Sequence, residues 1–261
     1  MPKIETKIQI GATDLERFGN WSGDCNPLHL DWELARQTYF GQPIVHGILA
    51  VIEALGSVSR QSVEPLHSLD VEFRGAIFPG ETYQVESSYE DSELSVTVRD
   101  SSIAVLIVRA IFGDSPEPLL TADLSWLSTR SENLDAMPDQ KRRLPADRAP
   151  EEFQRGHELT DVYSTGSPPE HYLSGDYLTP LNVSVLGLCS YLVGMEVPGL
   201  RSLFTRLRLH FSGTTANSNA LAYRARTTRF DPQFRLLDTA LEVATLEGEL
   251  VATGELRSYV R

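Results

Sequence analysis

The most informative part of the chain reads Ser22-Gly23-Asp24-Cys25-Asn26-Pro27-Leu28-His29-Leu30-Asp31, and further on Ile44-Val45-His46-Gly47. Asn26 is a preferred N-cap residue and Pro27 is a preferred first helical residue, so a helix is predicted to begin here. His29 then lies in the first helical turn, and Asp24 lies just before the helix. The stretch therefore places a carboxylate and an imidazole close together along the chain.

The helix start also predicts the charge state of the imidazole. The positive end of a helix dipole disfavours imidazolium, which favours His29 as a neutral base. A carboxylate and an imidazole that share one water or hydroxyl form a general acid/base pair. The alternative is that Asp24 only caps a turn and His29 is a surface residue, and an Asp and a His five positions apart do not decide between the two.

Gly47 opens an apolar run, Ile48-Leu49-Ala50-Val51-Ile52, that predicts a buried helix. The first N–H groups of a helix have no acceptor within it, and glycine has no side chain to keep an oxygen atom away. The N–H of Gly47 is therefore a candidate donor to an oxyanion. The alternative is a glycine at a helix start that only packs against a strand.

These residues, with Ala35 and Phe40, resemble the MaoC-like (R)-specific enoyl-thioester hydratase/dehydratase family over roughly residues 7–127. The resemblance implies a hotdog fold, in which a curved antiparallel sheet wraps a central helix. It also implies that Asp24 and His29 are the catalytic pair and that the N–H of Gly47 binds the oxyanion. We expect His46 and Asn26 to belong to the oxyanion or substrate-binding group. Some members of the family carry a serine about two turns along the central helix, where this chain has Leu55.

The order of predicted elements recurs along the chain. Apolar helical runs at 47–57 and 183–193 are each followed by strand-like stretches, at 83–89, 103–112 and 119–127 in the first half and at 221–228, 236–246 and 250–260 in the second. Between them, residues 129–152 are rich in charge and proline, as in a linker. We therefore predict an α+β double hotdog, with one hotdog at 1–128, a linker at 129–152 and a second hotdog at 153–261.

The second half lacks the motif. Ser174-Gly175-Asp176 echoes Ser22-Gly23-Asp24, but Asn182 then stands in place of the histidine, or Val183-Ser184 in place of His46-Gly47, depending on the alignment. We expect a structural role for this half, as a partner for the sheet and as walls of the acyl-binding site. The less favoured alternative is a separate chemistry that uses Asp176 with His171 or His210.

Composition excludes several classes of function. The net charge of −13 opposes nucleic-acid binding. The sequence has no apolar stretch long enough to cross a membrane and no secretory signal, so we expect a soluble, cytoplasmic protein. We expect Cys25 and Cys189 to be free thiols, and the six histidines show no ligand spacing, so neither a metal nor a cofactor is predicted.

Basic side chains cluster in the strands of the second half: Arg201, Arg206, Arg208, Arg224, Arg226 and Arg229. On alternate strand positions such arginines are typical of a solvated sheet face. The alternative is that some of them bind a phosphorylated acyl carrier.

The sequence thus favours an enzyme that reversibly hydrates an enoyl thioester, or dehydrates an (R)-3-hydroxyacyl thioester, carried by coenzyme A or an acyl carrier protein. A hotdog thioesterase and a non-catalytic acyl-thioester-binding subunit are the alternatives, because fold alone does not decide function. The two halves would form a pseudo-dimer within one chain, and two such chains could form a homodimer. The sequence identifies neither the acyl chain nor the carrier.

Overall fold

The computed structural model describes residues 4–58, 64–113, 124–130, 144–153, 156–164, 166–173, 177–214 and 220–261. Its first half contains a strand, four helices and four further strands. They are β1 (Ile4–Gln9), α1 (Ala12–Ser22), α2 (Pro27–Leu30), α3 (Trp32–Ala35), α4 (Gly47–Gly56), β2 (Leu66–Phe73), β3 (Thr82–Glu90), β4 (Glu93–Asp100) and β5 (Ile103–Phe112).

The second half has one long helix and five strands in a similar order. They are β6 (Glu158–Tyr163), α5 (Pro180–Tyr191), β7 (Ser202–Phe211), β8 (Leu221–Asp231), β9 (Leu236–Thr245) and β10 (Leu250–Val260). One π-helical turn, Leu192–Glu196, continues α5. Thr179 caps α5, because its side chain accepts a hydrogen bond from the N–H of Asn182.

All ten strands form one antiparallel sheet, in the order β1-β3-β4-β5-β2-β7-β10-β9-β8-β6. Read from each edge to the middle, the two halves have the same order: an edge strand, then the third, fourth, fifth and second strands of that half. The halves meet where β2 pairs with β7, with Ser68 opposite His210 and Glu72 opposite Arg206.

The two faces of the sheet differ sharply in polarity. On β7, Leu207 and Leu209 are fully buried, whereas the guanidinium of Arg206 bonds to Asp70 of the neighbouring strand at 2.6 Å. Because side chains alternate along a strand, the apolar positions share one face and the arginines the other. Five of the six arginines singled out in the sequence form ion pairs, which fits a solvated sheet face.

The apolar face packs against α4 and α5, which also contact each other. Seven of the ten residues of α4 are buried, which explains why apolar residues make up most of this helix: Ile48, Leu49, Ala50, Val51, Ile52, Ala54 and Leu55. This arrangement confirms the predicted α+β class, with a helix packed on an antiparallel sheet in each half. Both cysteines are free thiols, as expected.

Some sequence-based expectations differ from the structure. The predicted strand at 119–127 is wrong where the structure describes it, because Leu124–Arg130 forms a short 3₁₀ helix; residues 119–123 lie outside the described residues. Of the predicted linker, residues 131–143 also lie outside them. The N–H of Ala146 bonds to the carbonyl of Met195, and Arg148 bonds to the carbonyl of Glu196, so the later part of the linker packs against the second half.

None of the described helices combines the length and the hydropathy that crossing a membrane requires.

The burial of β7 where it pairs with β2 allows a prediction about stability. Leu207 is fully buried, so Leu207→Ala should lower the free energy of unfolding by about 2–5 kcal/mol through the cavity that it leaves. The matched control is the neighbouring Arg208→Ala. Arg208 is 45% exposed and its ion pairs are at the surface, so this change should cost less than about 1 kcal/mol. Denaturant unfolding measures both, and equal losses would contradict the assignment of Leu207 to the core.

Candidate active site

The loop after α1 positions the carboxylate. Gly23 ends that helix in the left-handed conformation (φ 75°), which glycine adopts without strain, and its N–H bonds to the carbonyl of Gly19. Asn26 then caps α2, because its side-chain oxygen accepts a hydrogen bond from the N–H of Leu28. The predicted helix start is therefore confirmed, although α2 is a single turn. Asp24 is held between these two helix ends.

Asp24 is almost fully buried, with 2% of its surface exposed. Burial raises the pKa of its carboxyl, while the nearby His29 and two hydrogen bonds lower it. The hydroxyl of Ser190 donates to Oδ2 at 2.6 Å, and the N–H of Asn26 donates to Oδ1 at 3.3 Å. These two donors and the imidazole oppose the cost of ionising a buried carboxyl.

His29 presents one ring nitrogen to the same space. Its Nδ1 lies 2.8 Å from the carbonyl oxygen of Ile44, and because a carbonyl only accepts, Nδ1 carries the hydrogen. The neutral ring therefore has a free lone pair on Nε2. The pKa of His29 is lowered, chiefly by burial, while Asp24 raises it. Burial, rather than the dipole of the one-turn helix, is the main cause of its neutral state.

Both side chains line a cavity of about 350 Å³. Most of its remaining wall is apolar, with aromatic rings from both halves and aliphatic side chains from α4, β5, the π-helical turn and the loops near them: Phe40, Phe73, Phe204, Ile44, Val45, Ala50, Ile77, Val105, Leu106 and Val193. A largely apolar cavity with a few convergent polar groups is typical of a small-molecule site.

Gly47 also lines this cavity, as the first residue of α4. A Cβ atom at this position would lie 2.8 Å from a ring carbon of Phe73. The packing that the alternative interpretation of Gly47 requires is therefore present. This packing is compatible with an N–H directed into the cavity. The absence of a side chain at Gly47 then leaves room for the ring of Phe73 and also for a ligand oxygen near the N–H.

The second half contributes directly to the carboxylate. Ser190 of α5 donates to Asp24, and Gly194 of the π-helical turn lies against the other side of the same carboxyl group. A Cβ atom on Gly194 would lie 2.6 Å from Cγ of Asp24. Neither residue is predicted from the sequence, because 166 positions separate Ser190 from Asp24 and only folding brings them together.

Asn26 and His46 lie behind the cavity wall and are fully buried. The side-chain nitrogen of Asn26 donates to the carbonyls of Gly194 (2.9 Å) and Gly199 (3.2 Å), so it ties the motif to the second half. His46 stacks on His29, with ring centroids 3.9 Å apart. The structure thus places both residues next to the catalytic candidates. Asp176 lies outside the described residues.

Asp24, His29 and His46 each offer one potential metal ligand, and these atoms lie within 4.8 Å of one another. This proximity of potential ligand atoms is one that the sequence spacing did not indicate. The two rings are stacked, with centroids 3.9 Å apart and 28° between their planes, so their nitrogen lone pairs lie in two separate and nearly parallel planes. Two ligands of one ion need lone pairs that converge on a single point, and stacked rings are unsuited to that.

A family model and two curated relatives match part of this chain. Residues 1–106 match the family model described as "MaoC like domain". The (R)-specific enoyl-CoA hydratase of Aeromonas caviae is 32% identical over 119 residues, which are 46% of this chain and 77% of that protein. The peroxisomal hydratase-dehydrogenase-epimerase of Saccharomyces cerevisiae is 33% identical over 111 residues, or 41% of this chain, and the match spans only 12% of that longer protein.

Solved structures resemble the whole chain. A structure titled "MaoC-like dehydratase" superposes with a TM-score of 0.67 over 99% of this chain and 98% of the other, at 12% identity. A protein of unknown function with a hot dog fold from Alicyclobacillus acidocaldarius gives a TM-score of 0.53 over 99% and 93%, at 14% identity. At these identities the likeness shows the fold alone, and the fold is the double hotdog that the sequence predicts.

The buried carboxyl makes a prediction about stability and pH. The pKa of Asp24 is higher in the folded protein than its ordinary 3.8, so the folded state loses stability as the pH rises through that raised pKa. Asp24→Asn should therefore unfold at a higher temperature than the wild type at neutral pH. This difference in melting temperature should vanish below about pH 3.8, where Asp24 of the wild type is protonated in both the folded and the unfolded state.

The control is Asp31→Asn, an exposed N-cap of α3 whose side chain accepts from the N–H groups of Glu33 and Leu34. Asparagine is an equally good N-cap, so this variant should melt like the wild type. Thermal melts over a pH series measure both. A lower melting temperature for Asp24→Asn at neutral pH would contradict the assigned cost of burial.

Proposed function

Because this chain belongs to the MaoC-like dehydratase family, we propose that it is a hydro-lyase that reversibly adds water to an enoyl thioester and forms an (R)-3-hydroxyacyl thioester. The observation that carries the proposal is the pairing of Asp24 and His29 on one cavity, beside the first N–H of α4. The name of the Aeromonas relative supports both the substrate class and the stereochemistry.

The first step is the polarisation of the thioester. Its carbonyl oxygen accepts a hydrogen bond from the N–H of Gly47, where α4 has no internal acceptor. Negative charge develops on this oxygen when a nucleophile adds to C3 of the enoyl group. A fixed donor at this position stabilises that charge and is worth about 2.7–4 kcal/mol of activation free energy.

The acid/base pair then adds water. Potential ligand atoms of Asp24 and His29 lie within 4.8 Å of each other, so one water can bond to both. Nε2 of His29 takes one proton from this water while the oxygen adds to C3. The carboxylate of Asp24 orients the water by accepting a hydrogen bond from the other hydrogen, which stays on the oxygen. The protonated imidazole then gives its proton to C2. The net change is addition of H and OH, and both side chains return to their initial states.

The second half has more than the structural role expected from its sequence. The hydroxyl of Ser190 donates to Oδ2 of Asp24 and so fixes the orientation of the carboxyl group. Ser202 to Thr205 and Tyr259 extend the cavity on the same side. One working site is therefore built from both halves, and the two hotdogs at 1–128 and 153–261 act as a catalytic half and a supporting half.

The thioester is carried by coenzyme A or by an acyl carrier protein, and the hydratase name of the Aeromonas relative favours coenzyme A. The cavity is mainly apolar, which suits a hydrocarbon acyl chain. A pseudo-dimer within one chain, a homodimer of two chains and a cytoplasmic location stay predictions.

A direct assay tests the reaction. Purified protein is incubated with trans-enoyl-CoA substrates of graded chain length, and the loss of the ultraviolet absorbance of the enoyl thioester is followed. Mass spectrometry should show a gain of one water, and chiral analysis should show the (R)-3-hydroxyacyl product. Asp24→Asn and His29→Gln should each reduce kcat by about 10²-fold or more, because each removes one member of the acid/base pair.

The matched control is again Asp31→Asn, which changes a carboxylate of the same motif that is exposed and lies outside the cavity. It should retain kcat within about twofold. Release of free coenzyme A, measured with a thiol reagent, distinguishes the alternatives. Thiol release without a hydrated product would identify a thioesterase, and binding with neither product would identify a non-catalytic subunit; either result overturns the proposal.

A pair of glycines on the second long helix tests the role of the second half. Gly194→Ala places a methyl group against the carboxyl of Asp24, whereas Gly187→Ala places one 2.8 Å from Cη2 of Trp21, away from the acid/base pair. Both should lose about 1–3 kcal/mol of stability through overpacking. Only Gly194→Ala should lose kcat beyond its loss of folded protein, by about tenfold or more, because it displaces a reacting group. Equal kcat in the two folded variants would remove the second half from the site.

A further inference from the structure

His46 contacts both members of the acid/base pair without lining the cavity. Its Nε2 lies 3.0 Å from the backbone carbonyl oxygen of Asp24, and its ring stacks on that of His29. On the other side it packs against Phe18, with ring centroids 4.9 Å apart. The side chain is fully buried. A single imidazole therefore joins the backbone that carries the carboxylate to the ring that acts as the base.

The hydrogen bonds fix where the hydrogen lies on each ring. A carbonyl oxygen only accepts, so His46 carries its hydrogen on Nε2, which bonds to Asp24. By the same argument His29 carries its hydrogen on Nδ1, which bonds to Ile44. The two stacked imidazoles therefore have opposite tautomers.

Both rings are neutral at rest, and they differ in which one is able to take up a proton. Burial and the neighbouring His29 hold the pKa of His46 well below its usual range, so His46 stays neutral when His29 takes up a proton. Its Nδ1 is buried and has no hydrogen-bond partner among the described residues. A buried polar atom without a partner is costly, so an apolar side chain would be the simpler way to fill this space.

We propose that His46 is a positioning residue that sets the separation and orientation of Asp24 and His29, by hydrogen bonding to the backbone of one and stacking on the ring of the other. It thereby replaces the contact with substrate expected from the sequence. The inference rests on the proposed hydration reaction for its kinetic consequence, but its structural content is independent of that reaction.

The tautomers are measured without any turnover. Long-range ¹H–¹⁵N correlation spectra of the protein with labelled histidines report which ring nitrogen is protonated, and spectra of His29→Gln and His46→Phe assign the two signals among the six histidines. The expected result is a protonated Nε2 on His46 and a protonated Nδ1 on His29. The same tautomer on both rings would overturn the proposal.

The kinetic test uses two substitutions. His46→Phe keeps a ring between Phe18 and His29 but removes the donor to Asp24, and His46→Gln keeps an N–H donor but removes the ring. Each should lower kcat by about tenfold to a hundredfold, because a small displacement of reacting groups has a large effect on rate. KM should stay within about threefold, since His46 does not line the cavity. The two variants are complementary if one of them folds poorly.

The matched control is Tyr163→Phe. The hydroxyl of Tyr163 donates to the carbonyl of Ser22 at 2.9 Å, so this variant also removes a buried hydrogen bond to the same loop without touching Asp24 or His29. Its kcat should stay within about threefold of the wild type. If the His46 variants lose no more kcat than Tyr163→Phe, His46 is only structural and the proposal fails.

The two levels of proposal fail in different ways. A wild-type protein that hydrates no enoyl thioester would overturn the proposed function, and the tautomer measurement would then decide the role of His46 alone. An active wild type with unchanged kcat in the folded His46 variants would overturn the role of His46 and leave the hydratase intact.

Discussion

The site depends on one carboxyl group, that of Asp24, which is held inside an apolar core where the two halves of the chain meet. Isolated burial of a carboxylate costs far more free energy than a folded protein can spare, so the charge of Asp24 requires partners on every side. Ser190 and the N–H of Asn26 are its donors, and His29 is the neighbouring base. Asn26 and His29 belong to the N-cap and the turn of α2, and Ser190 comes from the other half of the chain. The carboxyl group on which the proposed chemistry depends is therefore held by contacts that also join the two halves.

This requirement explains how the two halves differ. Their strands are arranged alike, but only the first half has the short helices that carry the acid/base pair. The long helix of the second half instead presents Ser190 and a π-helical turn to the carboxylate, and extra residues in a helical turn are frequent at functional sites. Asn26 bonds to the carbonyl of Gly194 within that turn. Within the described residues, the second half thus supports the acid/base pair that the first half carries.

The features that the sequence predicted correctly are those that depend on residues close together in the chain. The cap at Asn26, the buried helix after Gly47 and the strand at 103–112 follow from residue preferences and periodicity, and all three are present. The strand predicted at 119–127 was wrong where it is described, because Leu124–Arg130 forms a 3₁₀ helix, and Leu124 and Leu127 are three residues apart, the spacing of one 3₁₀ turn. Ser190 was not predictable, since its hydrogen bond with Asp24 arises only from the packing of α5. Nothing in the motif itself distinguishes His46, which stays behind the cavity, from His29, which lines it.

Gly47 shows why one residue can meet structural and catalytic needs that sequence reasoning treats as alternatives. Phe73 comes so close that any Cβ at this position would collide with its ring, so glycine is required for packing alone. The same close approach places an aromatic ring in the cavity wall beside the first N–H of α4, so the surroundings of this donor are largely apolar. A hydrogen bond to a developing oxyanion is stronger where water is excluded. The packing that removes the side chain therefore also strengthens the interaction with the oxyanion, and a larger residue would weaken both together.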